Sequence, residues 1–242
     1  MSSSSVLARF LPAASAANEA IGPGTPGASS AATSVAEVEG LYFSYPGRLL
    51  FLNQHRRIDA GLTWLRAPQG SGKSTLLKLL GGVMRPARGD VRVAGWSQAH
   101  APQGYRREVF WCGPGPLPHE YLSVDGFLQA TKGVHPRFDV DRAFADVEVF
   151  GLAEDRHRPV GKLPLPVQRK VWLTAALASG VTLTLLDEPF QLLADHEARY
   201  LWQRLAQQSK LPGRAIVVAS RPGEAGAWGL TSDVAITRTW EL

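Results

Sequence analysis

An α/β fold on a mainly parallel sheet is what this sequence predicts, and three observations carry it. From Val38 onward, short β-rich runs alternate with segments of helical apolar spacing. A glycine-rich run, Ala67-Pro68-Gln69-Gly70-Ser71-Gly72-Lys73-Ser74-Thr75, stands between a predicted strand and a predicted helix. Further on, the mostly apolar run Thr182 to Leu186 ends abruptly in two carboxylates, Asp187 and Glu188.

The elements follow in order. Residues 1–36 are dominated by Ser, Ala, Gly and Pro, so ordering them costs more entropy than their burial returns. They are expected to form a flexible tail, with the folded domain spanning 37–242. Within the tail, Val6 to Ala16 faintly resembles a signal peptide but is broken by Arg9 and Pro12. Strands are predicted at Val38–Phe43, Leu62–Leu65, Val91–Val93, Val109–Trp111, Thr182–Leu186, Ala215–Ala219 and Val234–Thr237. Three helices follow from apolar spacing. The first carries Leu76, Leu80 and Val83, the second Val167, Val171, Ala175 and Ala178, and the third Ala198, Leu201, Trp202 and Leu205. No repeat at solenoid or propeller period is visible.

Bulk properties narrow the function classes. At 242 residues, 45% hydrophobic and 19% charged, the chain is ordinary for one globular domain and excludes a fibrous or fully disordered protein. The single cysteine, Cys112, cannot form an intramolecular disulfide or build a zinc site by itself, which fits a reducing compartment. The net charge of +5 comes from Lys and Arg residues interleaved with acids, so no nucleic-acid partner is expected. The longest uncharged stretch, Val171 to Leu186, is too short to cross a bilayer. A cytoplasmic chain is expected.

The glycine-rich run matches a phosphate-binding loop except that alanine, Ala67, replaces its first glycine. Strand before and helix after matter, because consecutive backbone N–H groups, Ser71 among them, and the positive helix terminus converge on phosphate oxygens. Gly70 and Gly72 permit the turn and the close approach of the backbone. Lys73 can reach the β and γ phosphates, the Ser74 hydroxyl suits a magnesium ion bridging them, and Thr75 supports the outer phosphates. At the end of the apolar strand, Asp187 can hold magnesium and Glu188 can polarise an attacking water. Taken alone, that pair could equally cap a helix or form salt bridges.

These motifs, in this order, resemble the nucleotide-binding domains of ABC transporters over about residues 38–238. The resemblance implies a P-loop NTPase core with a mainly parallel sheet, an antiparallel β subdomain and a helical insertion at about 115–180. Leu122-Ser123-Val124 stands where the family starts the first inserted helix. Phe43-Ser44-Tyr45-Pro46-Gly47 looks like the family's aromatic loop, which makes Tyr45 the adenine-stacking candidate, with a packed strand-end tyrosine as the alternative. Gly82, Pro86, Gly89, Val91, Val93 and Gly95 follow the family's turn and hairpin.

Four positions depart from the pattern. Trp111-Cys112-Gly113-Pro114 replaces the loop with the family's glutamine, and Leu163-Pro164-Leu165-Pro166-Val167 replaces the Leu-Ser-Gly-Gly-Gln signature. Pro164 and Pro166 supply no N–H donors, so a helix can follow while its γ-phosphate clasp is largely removed. The switch histidine falls at Arg221, either a phosphate donor or a surface charge. The interface aspartate falls at Ala194 or, shifted by one, at Asp195. The resemblance therefore implies an ATP-binding subunit that takes ATP and Mg2+, with Glu188 as general base. It would drive a separate transmembrane transporter subunit from the inner face of the membrane, as a homodimer or a heterodimer with another ATP-binding subunit. A hydrolysis-impaired regulatory subunit is the alternative, and a small-molecule kinase a more distant one.

Overall fold

The computed structural model describes residues 34–221 and 236–241. Five apolar runs, β3 (Gly61–Arg66), β6 (Val109–Cys112), β7 (Leu183–Asp187), β8 (Ala215–Ser220) and β9 (Ile236–Glu241), pair as a parallel sheet in the order β6-β7-β8-β3-β9. Every residue of β7 and β8 is buried, as central strands covered on both faces must be. Side chains of β3 alternate between the two faces: Leu62 and Trp64 enter one apolar core with Trp172 and Trp202, while Leu65 enters a second core with Leu76 and Leu80. Of the expected 234–237 strand, Ile236 and Thr237 lie in β9, which runs on to Glu241, and Val234 and Ala235 fall outside the described residues.

The antiparallel sheet orders β1 (Ser34–Tyr45), β2 (Arg48–Asp59), β4 (Arg88–Val93) and β5 (Trp96–Ser97) as β2-β1-β4-β5. Ser34, Val35 and Ala36, placed in the tail by composition, belong to β1, where Val35 and Ala36 are buried. The rest of the expected tail lies outside the described residues. Strand β2 has no counterpart in the sequence reading, because it lies at a sheet edge and most of its side chains, several of them charged, face outward.

Helix α1 (Lys73–Leu80) stops at Gly81, and Gly82 follows at φ 70°, so Val83 lies beyond the helix that its spacing suggested. Helix α2 (Pro102–Glu108) is another addition; it is short and buries one residue, Tyr105, whose hydroxyl donates to Leu80 O at 2.5 Å. The insertion holds α3 (Val124–Val134), α4 (Val140–Val149) and α5 (Leu165–Ala178), with short 3-10 turns at 153–155 and 160–162. Ser123 caps α3 by accepting from Gly126 N–H at 3.0 Å, as its position in the motif implies. Helix α6 (Asp195–Ser209) is fastened to α4 by a buried ion pair, Arg204 Nε to Asp146 Oδ1 at 3.1 Å, with Tyr200 donating to the same oxygen at 2.5 Å. Among the described residues no helix is long and apolar enough to cross a membrane.

Two stability results follow from this packing. Gly180 has φ 67°, and a Cβ there would sit 2.2 Å from Arg137 O, so Gly180→Ala combines backbone strain with a backbone clash. It is expected to cost about 2 kcal/mol or more, read as a lowered denaturant midpoint. Burial holds the His135 imidazole neutral, its pKa lowered to about 4 against an unfolded value near 6.5. The unfolded chain takes up a proton first, so this contribution is complete above pH 6.5 and is lost as pH falls from there to about 4. The loss amounts to about 3 kcal/mol. Urea unfolding at pH 7.5 and 4.5 measures it, and His135→Asn should show the smaller drop.

Candidate functional site

Between β3 and α1 the chain makes a loop whose two glycines stand in left-handed backbone, Gly70 at φ 81° and Gly72 at φ 106°. Both conformations favour glycine. Ala67 has no positive φ, so the methyl group that replaces the expected glycine meets no backbone strain. Lys73 is buried and its ammonium donates to Ala67 O at 2.5 Å and Pro68 O at 3.1 Å, which keeps the charge inside the loop. Gly72 caps α1 without any side chain, so the first-turn N–H groups face the loop and not a capping oxygen.

Strand β7 delivers the two carboxylates beside that loop. Asp187 is fully buried, and neither of its carboxylate oxygens has a hydrogen-bond partner. Burial pushes its pKa above the usual carboxylate range; the nearby Ser74 hydroxyl and the cations of Arg169, Lys78 and Lys73 act in the opposite sense. Glu188 has φ 49°, unusual for a residue with a side chain, and costs about 1 kcal/mol. Its N–H donates to Ala219 O at 2.8 Å. Arg169, buried in α5, holds the other side of this bend, donating to Asp187 O at 2.6 Å, to Glu188 O at 2.5 Å and to Gly113 O.

The loop and the bend open on one cleft of about 440 Å³. Of the residues singled out in the sequence, Tyr45, Gly70, Gly72, Lys73, Ser74, Thr75 and Glu188 line it. Asp187 lies behind that wall, and Ser71 lies in the loop with its N–H donating to Pro68 O at 3.3 Å. The Tyr45 hydroxyl is 3.2 Å from Thr75 Oγ1, and its ring meets Phe43 edge-on. The sequence reading missed Arg48, Leu50, Gln191 and Arg169, and named Gln69 only as part of the loop. The Pro46-Gly47 turn between two apolar runs could have exposed the first two, as a two-residue hairpin connection.

The departing positions also have places. Trp111 packs edge-on against Trp172, Pro114 lines the cleft, and burial raises the Cys112 thiol pKa to about 11, so this cysteine is an apolar filler. Pro164 stands at the N-cap of α5 and Pro166 in its first turn; the helix starts at Leu165, two residues before Val167. The N–H groups of Val167 and Gln168 are both spent on Pro164 O, at 2.9 and 3.0 Å. Ala194 caps α6 and accepts nothing by its side chain, while Asp195 is the first helical residue. Arg221 is exposed and lines the cleft.

A parallel sheet whose strand runs through a glycine loop into a helix, with a second strand ending in carboxylates alongside, defines a nucleotide-binding domain of the P-loop class. The ABC transporter family profile matches residues 60–191. The chain is 31% identical over 172 residues to the cytochrome c biogenesis ATP-binding export protein CcmA of Pseudomonas savastanoi pv. phaseolicola, covering 71% of this chain and 81% of that protein. The chain belongs to the ABC transporter family, as an ATP-binding subunit. Its fold is similar to a solved ATP-binding subunit of an ABC transporter, with TM-score 0.73 and 22% identity over 81% of this chain and 83% of the other. A dimeric ATP-binding cassette bound to ADP and Pi is also similar, with TM-score 0.63 and 18% identity over 76% of this chain and 87% of that one.

Proposed function

We propose that this chain binds Mg-ATP in the cleft between the Lys73 loop and the 187–188 bend and hydrolyses it to drive a separate transmembrane subunit. One observation carries the reading: Lys73, the start of α1 and Glu188 line a single cleft, with Asp187 buried directly behind Glu188 at the end of β7. Lys73 and the first-turn N–H groups bind the β and γ phosphates, Tyr45 takes the adenine, and Thr75 supports the outer phosphates. Asp187 and the Ser74 hydroxyl fit magnesium, because the aspartate's unpartnered buried oxygens are hard donors of the kind that ion takes. Magnesium held there would supply charge neutralisation at the phosphates, while Glu188 orients the attacking water and accepts its proton.

In family terms such subunits pair with transmembrane subunits and usually dimerise; here the reading is a pair apposed head to tail at the inner face of the membrane. The start of α5 favours a second reading, a subunit whose ATP occupancy changes assembly while turnover is negligible. With Val167 and Gln168 N–H committed to Pro164 O and Pro166 lacking a donor, the face offered to a partner's γ phosphate is poor. Beside an unlike subunit with an intact signature, the site at Lys73 remains productive. Steady-state phosphate release by the purified chain, alone and with its membrane partner, separates the two. Turnover that disappears with Glu188→Gln supports hydrolysis, and its absence in both settings leaves the regulatory reading.

A further inference from the structure

The ATP reading above assigns no role to Arg48, one of the cations lining the cleft. Arg48 opens β2 directly across the Pro46-Gly47 turn from Tyr45, its register partner in β1. Its side chain lines the same cleft as Lys73 and reaches the phosphate loop, donating from Nη2 to Gly70 O at 2.8 Å. Two residues on, Leu50 presses against the loop from the same strand: a Cβ on Gly72 would meet its side chain at 3.1 to 3.2 Å. The Arg48 and Leu50 positions, which share one face of β2, thus fix the hairpin against Gly70 and Gly72.

That bond uses one of the five N–H donors of the guanidinium, and among the described residues no carboxylate pairs with it. A cation with donors to spare can bring both charge and a hydrogen bond to a phosphate oxygen. The charges lining the cleft agree, since Arg48, Lys73 and Arg221 outnumber Glu188 there. We propose that Arg48 is a further ligand for the phosphate chain of the bound nucleotide, closing on it from the adenine side while Lys73 holds it from within the loop. The proposal rests on the ATP reading. It assigns Arg48 an electrostatic part in affinity for both ATP and ADP.

A plain brace for the loop would use the same Gly70 contact, so the test must separate charge from bracing. Calorimetric titration of the purified full chain with ATP and with ADP, magnesium present, is run for the wild type, Arg48→Gln and Arg48→Lys, with melting temperatures alongside. Glutamine removes the charge, and because its amide ends near the Arg48 Nε position, the melting temperatures report whether loss of the Gly70 O contact loosens the loop. Arg48→Gln is expected to weaken both nucleotides by about tenfold or more at unchanged melting temperature, and Arg48→Lys to stay within about threefold of wild type. Wild-type affinity in Arg48→Gln overturns the proposal, as does an Arg48→Lys chain no better than the glutamine one. A wild type that takes up neither nucleotide defeats the ATP reading itself, and the proposal with it.

Discussion

Lys73→Ala is expected to abolish tight Mg-ATP binding by the purified chain. The Lys73 ammonium is buried against two loop carbonyls, Ala67 O and Pro68 O, which hold its charge beside the start of α1, where the proposed site puts the phosphates. Alanine removes both that charge and the three N–H donors, and nothing else inside the loop can replace them. A charge-assisted contact to a polyanion in so enclosed a place makes a loss of about 100-fold or more the expected reading. The fold should persist, because Lys73 itself lines the open cleft, and water entering the space it vacates can reach the two freed carbonyls. Calorimetric titration with ATP and magnesium checks the claim, with circular dichroism as the control for folding. Unchanged affinity would mean that the phosphates do not lie at this loop.

Glu188→Gln is expected to show the opposite signature, with nucleotide uptake surviving and turnover stopping. Glutamine has nearly the same shape, so the backbone at φ 49°, the bond from Glu188 N–H to Ala219 O and the Arg169 contact to the carbonyl all remain. Only the capacity to accept a proton from water is removed. A positioned general base contributes about 100- to 10,000-fold, and phosphate release should fall by that order while ATP affinity stays within a few-fold of wild type. The measurement belongs in whichever setting, isolated chain or membrane assembly, supports turnover by the wild type. Equal rates in the two chains would remove Glu188 from the chemistry.

The parts of this molecule that chemistry demands at fixed spacing were legible before any coordinates. Gly70, Gly72, Lys73 and Ser74 must lie in one short run because a single turn of backbone has to meet one phosphate group. Asp187 and Glu188 announce themselves as charges at the end of an apolar strand. Arg48 and Arg169 gave no such signal, since each acts on backbone carbonyls far away in sequence, Gly70 in one case and Gly113, Asp187 and Glu188 in the other. Such ties are set by tertiary packing, which local patterning does not record. The same reason hid β2 and α2, whose outward faces blur the periodicity that a doubly covered strand or a long helix displays. At Val83, spacing was right and the boundary wrong, because two consecutive glycines end the helix sooner than the apolar stripe does.

Arg169 ties α5 and the 187–188 bend together as one mechanical piece. Its guanidinium is planted in α5 and grips three main-chain oxygens beyond that helix, two of them on the bend that aims Glu188. Rolling α5 would strand a sunken cation without acceptors, a penalty of several kcal/mol. The helix must therefore drag the bend along with it. A push delivered to the insertion from outside reaches the carboxylates through this rigid coupling, in a chain whose neighbouring loop offers tryptophan, cysteine, glycine and proline where its family keeps a glutamine.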